Sequence, residues 1–482
     1  MRIESIAFGG AHTVIGTGRE KAEKSGAKLA ARLEASTAVA LVGVAGALAP
    51  TLSVGDLVVA SELRSTESST ARELPGSALL SAEIRRARAG VHHGPLVSSP
   101  RFVAGDERAH LAASGALAVD MESSWVMDYL PHHPLAVVRA ISDTSTTGPV
   151  RGGLRALAAL SHARGPLQRW AKACGEHEVI LASPRSFCAG VVRAIETVEA
   201  ALAQFASPIY VRRQIVHNQH VVRDLERRGV IFVDEIADVP EGAVVILAAH
   251  GVSLEVRAQA SARTDLTVID ATCPLVAKVH TEARRFAAQD YNIVLIGHRE
   301  HEEVQGTLGE APDRIVLIES IDDVAALVLD ERPLAYLTQT TLATDETAAI
   351  VDALRERFPA IVGPATDDIC YATQNRQEAV RSIARRCDLM LVVGSMNSSN
   401  TARLAEVALR EGCRAQLIED ADALELSWLS DARSIGVSAG ASAPESLVQD
   451  VVGALASLGP VRLSEERTVQ ETVHFSLPTR VR

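Results

Sequence analysis

The sequence is poor in aromatic residues, in closely spaced cysteines and in uninterrupted apolar runs. Only 8 Phe, 5 Tyr and 3 Trp occur among 482 residues, although 47% of the chain is apolar. The longest apolar stretch, residues 37–54, contains two glycines, a proline and a serine, which a membrane-spanning helix of about 20 residues disfavours. The first ten residues, MRIESIAFGG, have an early acid and no extended apolar core, so we expect no secretory signal. These absences exclude a small disulfide scaffold and a membrane protein, and they predict a cytoplasmic globular chain.

Basic charge is also scarce, and the deficit is uneven along the chain. The net charge is -12; residues 1–173 carry 19 Lys+Arg against 15 Asp+Glu, and the remainder carries 29 against 45. A strongly acidic second part argues against nucleic acid as a partner, because phosphates require a basic face. The same charge repels small anions at long range. We therefore expect any anion site in this part to be local and built from neutral donors.

The chain is long enough for about three domains of roughly 150 residues. Between residues 150 and 178 the pattern predicts a helix interrupted at Gly165-Pro166 and then a polar stretch, which places a domain boundary between residues 1–174 and 175–482. Nine strand-like runs follow, each ending in a polar or glycine-containing turn; they lie at 179–183, 209–216, 244–249, 267–270, 292–297, 314–318, 334–337, 389–394 and 434–440. The alternation predicts mostly parallel α/β layers in about three sub-units.

Three of the six cysteines, Cys188, Cys273 and Cys370, each come just before a predicted helix. A helix N-terminus is expected to lower the pKa of a cysteine and favour the thiolate that a metal needs. Three well-separated thiolates suit an iron-sulfur cluster better than zinc, and they leave one of four irons open to a substrate oxygen. Burial as free thiols is the alternative; the other cysteines, Cys174, Cys387 and Cys413, are interpreted in that way.

Neutral hydrogen-bonding groups follow six of the predicted strands. They are His217-Asn218, His250-Gly251, His298 and His301 (with the acid Glu303 in the same loop), Thr338 to Thr341, Ser398 to Asn400 and Gly440 to Ser442. Ser, Asn and backbone N–H groups at helix starts bind phosphate without formal charge. Each one alone is equally an ordinary helix cap, but ligands of open α/β sheets bind where strand ends converge. The set therefore predicts an anion site. Glu303 is singled out as a carboxylate of the His-rich loop, and a solvated surface acid is its alternative interpretation.

Nine segments resemble, in order, the motifs of the 4-hydroxy-3-methylbut-2-enyl diphosphate reductase (LytB) family. They are SPRSFCAGVVRAI, QIVHNQHVV, AAHGVS, DATCPLVAKVH, IGHREHEEVQGT, TQTTL, DICYATQNRQ, GSMNSSNT and AGASAPE. The resemblance implies a three-lobed α/β enzyme with a central 4Fe-4S cluster on Cys188, Cys273 and Cys370. It implies the last step of non-mevalonate isoprenoid synthesis, in which an allylic alcohol diphosphate loses its hydroxyl and gains two electrons and a proton, giving isopentenyl and dimethylallyl diphosphates.

The resemblance also implies roles for individual residues. The diphosphate ligands are His217, His250, Ser398, Ser399, Asn400 and Ser442, with His301 near the substrate. Glu303 delivers protons in a relay with Thr340 at the substrate hydroxyl, and a ferredoxin or flavodoxin supplies electrons. Met396 departs from the lysine that family members often carry before NSSN. A cluster-dependent hydro-lyase, which needs no net electrons, is the alternative enzyme.

The first part resembles the nucleoside phosphorylase and nucleosidase superfamily in VGVAGALAPTLSVGDLVVAS, AVDMESSWV and VVRAISDTS. In that superfamily Met121 and Glu122 hold the ribose, and Asp143 protonates the purine as the glycosidic bond breaks. This chain is expected to start one βα unit late, with GTGREKA at 16–22 already matching a later helix start. The first domain, 1–174, is therefore interpreted either as a nucleoside-cleaving enzyme or as a non-catalytic module.

Overall fold

The computed structural model describes residues 15, 17–34, 37–146 and 149–482, which form two compact units. The first unit comprises the described residues up to Val179 with Ala421–Ser434 and Asp450–Arg462; the second comprises Ile180–Asp420, Ile435–Gln449 and Leu463–Arg482. No helix within the described ranges is both long and apolar enough to cross a bilayer. The prediction about a secretory signal concerns residues 1–10, which lie outside the described residues.

The first unit is built on a six-stranded sheet in the order β3-β2-β4-β5-β1-β6, and an additional pairing of β2 with β6 closes the sheet on itself. The apolar runs of the sequence form β1, β2 and β6, and every residue of β6 is buried. The strands are β1 Val39–Ala47, β2 Leu57–Ser65, β3 Ser68–Glu73, β4 Val91–Ser98, β5 Ala118–Asp120 and β6 Leu135–Asp143. The helices are α1 Arg19–Ala30, α2 Ser77–Ala87, α3 Gly105–Ala113, α4 Ser123–Met127, α5 Pro149–Leu160 and α6 Arg164–Ala173.

The helical region before the predicted boundary breaks at a different place from the one expected. The structure has a 3-10 turn at Ser161–Ala163 between α5 and α6, and Gly165-Pro166 lies inside the first turn of α6. The sequence prediction was wrong because a proline is tolerated in the first turn of a helix, where its missing N–H has no partner to lose. The break therefore precedes the proline by several residues.

The second unit contains three separate sheets, which confirms the predicted three-lobed α/β architecture. Their strand orders are β11-β10-β8-β9, β13-β12-β14 and β16-β15-β17-β7-β18. The strands are β7 His177–Ser183, β8 Ile209–Arg212, β9 Val230–Val233, β10 Val244–Leu247, β11 Thr267–Asp270, β12 Asn292–Ile296, β13 Ile315–Ile318, β14 Leu334–Thr338, β15 Leu389–Val393, β16 Arg414–Ile418, β17 Ser434–Ala439 and β18 Val461–Arg467. The helices are α7 Ala189–Gln204, α8 Gln219–Arg227, α9 Leu254–Ala262, α10 Pro274–Ala288, α11 Glu302–Leu308, α12 Ile321–Ala326, α13 Thr344–Arg357, α14 Tyr371–Ala384 and α15 Ser399–Arg410. Two later helices are α16 Leu426–Leu429, whose residues belong to the first unit, and α17 Glu445–Ala456, which has residues in both units.

All nine strand-like runs form strands, but three further strands, β9, β16 and β18, were missed. Each of the three lies at the edge of its sheet. Two of them, β16 with the sequence RAQLI and β18, carry polar residues, as strands that face solvent on one side often do. The third, β9, has the apolar sequence VIFV and was missed although its sequence carries the signal. The strand β18, VRLSEER, has no buried residue at all.

The register of these parallel sheets decides which loops meet. In the first lobe the end of β10 at Leu247 is paired with Arg212 of β8 and Asp270 of β11. The ends of β12 and β14 are likewise level, and so are those of β15 and β17. Because the carboxyl ends of parallel strands lie at one edge, the loops that carry the predicted site residues leave each sheet side by side.

Candidate functional site

The three predicted cluster cysteines occupy equivalent positions, each as the N-cap residue of a helix. Cys188 caps α7, Cys273 caps α10 and Cys370 caps α14. The thiols are close to one another: a Cβ added to Gly190 would lie 2.7 Å from Cys273 Sγ and 3.8 Å from Cys188 Sγ. Only glycine allows this approach, since any side chain at position 190 would collide with the cysteine sulfur.

The pKa values of two of these thiols run opposite to the sequence prediction. Burial raises the pKa of Cys273 to about 12 and that of Cys370 to about 11. Backbone N–H groups at the helix starts act in the expected direction, but burial and the neighbouring thiolates outweigh them. The helix N-terminus therefore contributes with the predicted sign, but the predicted net lowering of these two pKa values was wrong. These two buried thiols instead need a cationic partner to become thiolates.

The three sulfurs do not lie close enough together to bind one zinc ion. Within the described residues, no set of three cysteines brings its sulfurs within 4.8 Å of one another. A tetrahedral zinc with Zn–S distances of about 2.3 Å holds its ligand sulfurs roughly 4 Å apart. The residues present therefore fit a group that spans several metal atoms. Cys387 and Cys413 lie apart from this site, since Cys387 follows the far end of the 14-residue helix α14 that begins after Cys370.

Three histidines from two lobes form one aromatic cluster. The rings of His217 and His250 stack with centroids 3.9 Å apart and planes 13° apart, and His301 meets them edge-on at 5.4 and 6.1 Å. Both ring nitrogens of His217 and the Nε2 of His250 are buried without a hydrogen-bond partner among the described residues. Buried polar atoms of this kind indicate a missing ligand.

The electrostatics of the histidine cluster favour neutral imidazoles. Burial lowers the pKa of His217 to about 4 and that of His301 to about 3, and it lowers the pKa of His250 well below its usual range. The Glu302 carboxylate lies within 4.8 Å of the ligand atoms of His217 and His250. The two stacked rings are nearly parallel, and each neutral imidazole carries one N–H donor. The arrangement therefore suits donation to neighbouring oxygens of an anion.

Hydroxyl groups from the third lobe complete this pocket. Ser398 is the N-cap of α15, and its hydroxyl lies 3.5 Å from the Ser442 hydroxyl, which donates to the His217 carbonyl at 2.9 Å. Ser399 accepts hydrogen bonds from Thr341 at 3.1 Å and from Gln339 at 3.3 Å. The serines and histidines thus meet at the N-terminal end of α15, where the helix dipole favours an anion.

Asn400 connects the anion pocket to the cysteines. Its side-chain oxygen accepts from the Ala441 backbone at 2.9 Å, and its Nδ2 donates to the Thr373 hydroxyl at 3.2 Å. The Thr373 hydroxyl lies 3.1 Å from Cys370 Sγ. Sequence reasoning missed Thr373, although its position three residues after a helix-capping cysteine is a signal for such a contact.

Glu303 and Thr340 form a buried pair next to Cys370. The side chain of Glu303 accepts from the Thr340 backbone N–H at 2.7 Å and from its hydroxyl at 2.8 Å. Burial raises the pKa of Glu303 to about 7, although both hydrogen bonds act in the opposite direction. The charge of Glu303 in turn raises the pKa of Cys370, which places the carboxyl group within electrostatic reach of the thiol. A carboxyl group with this pKa can hold and release a proton near neutral pH.

A second buried carboxyl, Asp368, was missed. It accepts from the Thr338 backbone at 3.0 Å and pairs with Lys278 at 3.2 Å, and burial raises its pKa to about 6. Its charge is one cause of the raised pKa of Glu303. The sequence signal was its place two residues before Cys370 in TDDIC.

The three candidate residues of the first unit lie at the ends of β5 and β6. Met121 and Glu122 follow β5 and are half-buried, while Asp143 is the last residue of β6 and is buried. Burial raises the pKa of Glu122, whose side chain accepts from the Gly18 backbone at 3.4 Å. Gly18 caps α1 with a φ of +95°, whereas Gly16 of the predicted GTG turn lies outside the described residues.

Both oxygens of Asp143 are engaged by protein groups. Arg108 Nη1 donates to Oδ2 at 2.9 Å, and the Ser142 hydroxyl donates to Oδ1 at 2.9 Å. Arg108 also donates to the Ala47 carbonyl at 2.7 Å, and its side chain is 12% exposed. The carboxylate that the resemblance assigns to purine protonation is thus held in an ion pair within the sheet.

Comparison with known proteins shows which family the second unit resembles. Residues 179–456 match the family model described as LytB protein. The chain belongs to the LytB family. LytB reductases are iron-sulfur enzymes, in agreement with the three thiols at helix starts. A separate match covers residues 12–152 and carries the description Phosphorylase superfamily.

Named LytB relatives are similar over nearly their whole length. A 4-hydroxy-3-methylbut-2-enyl diphosphate reductase from Cutibacterium acnes is 54% identical over 312 residues, covering 64% of this chain and 96% of the relative. One from Bordetella pertussis is 56% identical over 302 residues, covering 62% and 93%. The solved structure of the E-1-hydroxy-2-methyl-but-2-enyl-4-diphosphate reductase from Plasmodium falciparum has 39% identity and a TM-score of 0.61, covering 64% of this chain and 97% of its own.

Proposed function

We propose that residues 175–482 catalyse the reductive dehydroxylation of (E)-4-hydroxy-3-methylbut-2-enyl diphosphate to isopentenyl and dimethylallyl diphosphates. The C–O bond breaks, the hydroxyl leaves as water after taking one proton, and two electrons with a second proton enter the allylic fragment. The observation that carries the proposal is the Glu303–Thr340 pair, buried beside Cys370 and held at a pKa of about 7. We further propose a cytoplasmic location and a domain boundary between residues 174 and 175.

Cys188, Cys273 and Cys370 would hold a 4Fe-4S cluster. Such a group supplies electrons and a Lewis-acidic iron when bound. The position of all three at helix starts and the raised thiol pKa values of Cys273 and Cys370 support this assignment, because buried thiols gain most from a cationic partner. A ferredoxin or flavodoxin is the proposed electron donor.

The other side chains of the site would bind the diphosphate or transfer a proton. The diphosphate would accept hydrogen bonds from the pocket formed by His217, His250, Ser398, Ser399, Asn400 and Ser442. His301, edge-on to both stacked rings, would close this pocket on the substrate side. Thr340 would orient the substrate hydroxyl, and Glu303 would donate the proton, since hydroxide is a poor leaving group without an acid.

The test is turnover of the full-length chain, purified without oxygen and supplied with a chemical reductant and the substrate. Glu303→Gln keeps the shape but cannot supply a proton, so we expect its rate to fall by about a hundredfold or more. Glu300→Gln changes an exposed acid in the same loop and should leave the rate unchanged. An unaltered rate for Glu303→Gln would refute the assigned proton donor, and turnover without reductant would favour a hydro-lyase instead.

For the first unit, the ion pair between Arg108 and Asp143 favours a binding or structural module over nucleoside cleavage. An acid whose two oxygens are both bonded to protein is poorly placed to protonate a base. The full-length chain should therefore release no free base from a panel of purine nucleosides, while keeping its reductase activity. Release of a base that Asp143→Asn abolishes would instead establish a nucleosidase.

A further inference from the structure

Arg376 is a fully buried cation on the same helix as Cys370. It lies in α14, six residues after the cysteine, and its side chain is 0% exposed. Its Nε and Nη2 donate to the Ser186 carbonyl at 3.1 and 2.7 Å, and its Nη1 donates to Glu471 at 3.0 Å. A buried guanidinium is stable only when its donors and its charge are satisfied in this way.

The group that Arg376 holds, Ser186, has an unusual backbone conformation. Its φ is +59°, a left-handed value that is disfavoured for any residue with a Cβ. Ser186 precedes Cys188 by two residues, and its hydroxyl donates to Glu445 at 2.7 Å. Such a conformation persists where the surroundings hold it, so the two bonds from Arg376 help to set the path of the chain into Cys188.

The partner of Arg376 comes from the C-terminal tail, residues 463–482. This segment follows the region that matches the LytB family model, which ends at residue 456. The Thr468 backbone donates to the Ser183 carbonyl at 3.0 Å, and Arg193 donates to the Ser476 carbonyl at 2.9 Å. Val481 is buried with 3% exposure in the core of the first lobe. The tail is therefore packed against the protein both before and after Glu471, and this holds the Glu471 carboxylate in a fixed position.

We infer that Arg376 and Glu471 are a positioning pair, here called the buried clamp, that holds Cys188 at the correct distance from Cys370 and so retains the cluster. Arg376 stands on the helix that Cys370 caps and holds the loop that leads into Cys188. One rigid side chain therefore connects two of the three proposed ligands. Lysine cannot replace it, because one ammonium group does not offer the planar fork that reaches Ser186 and Glu471 together. The inference rests on the cluster of the proposed function.

The test measures iron and sulfide per chain, the rate of iron release to a ferrous chelator, the electron paramagnetic resonance spectrum of the reduced protein and thermal unfolding. The full-length chain is used without oxygen. We expect Arg376→Lys to release iron about tenfold faster or more than wild type, since charge-assisted hydrogen bonds to the Cys188 loop are lost. Arg381→Met is the matched control, because Arg381 lies on the same helix and bonds Thr344 instead of the cysteine loops.

A double variant separates positioning from stability. Replacing a buried ion pair by apolar residues is often neutral or stabilising, whereas removing one partner is strongly destabilising. Arg376→Met with Glu471→Met should therefore unfold near the wild-type temperature and still lose iron rapidly, because Ser186 is no longer held. Iron retention that recovers together with stability would overturn the clamp.

The outcomes also separate this inference from the proposed function. A wild-type chain that contains zinc or no metal would refute the cluster and the clamp together. A wild-type chain with the cluster, and an Arg376→Lys variant that retains iron at the wild-type rate with an unchanged spectrum, would refute the clamp alone.

Discussion

The hydrogen bond from the Thr340 hydroxyl to Glu303 makes a quantitative prediction about pH dependence. Each oxygen of the buried carboxyl accepts one bond from Thr340, at 2.7 Å from the backbone N–H and 2.8 Å from the hydroxyl. Thr340→Val removes the hydroxyl and keeps the backbone donor and the β-branched shape. Because the lost bond stabilises the ionised carboxylate, the substitution should raise the pKa of Glu303 further.

The size of the shift follows from the strength of the lost bond. A hydrogen bond to a charged group contributes about 1.5–3 kcal/mol, and one pKa unit corresponds to about 1.4 kcal/mol. The pKa of Glu303, about 7 in the wild type, should therefore rise by about one to two units. The protonated fraction of Glu303, and with it the rate, falls about tenfold per pH unit above the pKa. The descending limb of the pH–rate profile should therefore move to higher pH by about one to two units.

The assay measures kcat between about pH 5 and pH 10 with a chemical reductant. Because the substrate is saturating, titration of the free diphosphate does not affect the measured rate. The height of the profile should also fall, since Thr340 is proposed to orient the substrate hydroxyl. Thr341→Val is the control, because its hydroxyl bonds Ser399 and not Glu303, and its limb should stay in place. A limb in Thr340→Val that is unmoved or displaced to lower pH would refute the reasoning.

Three further predictions concern the same site. Glu303→Gln should stabilise the fold at pH 8. The pKa of Glu303 is about 7 in the folded chain and lower in the unfolded chain, so ionisation of this group lowers the free energy of unfolding as pH rises from about 4.5 to 7. The loss reaches up to about 3 kcal/mol, and glutamine does not suffer it. Equal gains in unfolding temperature at pH 8 and pH 5 would contradict this. Diphosphate binding should take up protons at pH 7, because His217 and His301 are neutral in the free protein and an anion raises their pKa; calorimetric enthalpies that do not vary with the buffer would exclude it. Cys273→Ala should abolish iron binding, whereas Cys413→Ala, which removes a thiol bonded to the Cys387 carbonyl, should leave iron content at the wild-type level.

The periodicity of the sequence was sufficient for the lobes and for the positions of most site residues. Apolar runs identified nine of the twelve strands from β7 to β18. A strand end followed by a helix start is where α/β proteins bind ligands. Cys188, Cys273 and Cys370 were therefore recognisable as helix caps before any coordinates. The edge strands β16 and β18 were not recognisable, because their solvent-facing polar residues interrupt the apolar signal.

Properties that depend on burial and on distant partners came only from the tertiary structure. The direction of the thiol pKa shifts was wrong from sequence, because a helix start is a local feature whereas burial depends on packing from several lobes. The ion pair between Arg108 and Asp143 joins residues 35 positions apart. The bond between Arg376 and Glu471 joins residues 95 positions apart, and neither pair has a sequence pattern.

The sequence by itself determined the scarcity of positive charge, the helix-capping cysteines, the neutral donors at strand ends and the LytB motifs, because all of these are local in the chain. The tertiary structure decided that Glu303 is buried with a pKa of about 7, that three histidines are neutral, and that Asp143 is held by Arg108. Two of these histidines, His217 and His250, have ring nitrogens without a partner among the described residues. Burial and electrostatic environment arise from segments far apart in the chain. For this reason the same residues could be named from the sequence, but their protonation and their partners required the fold.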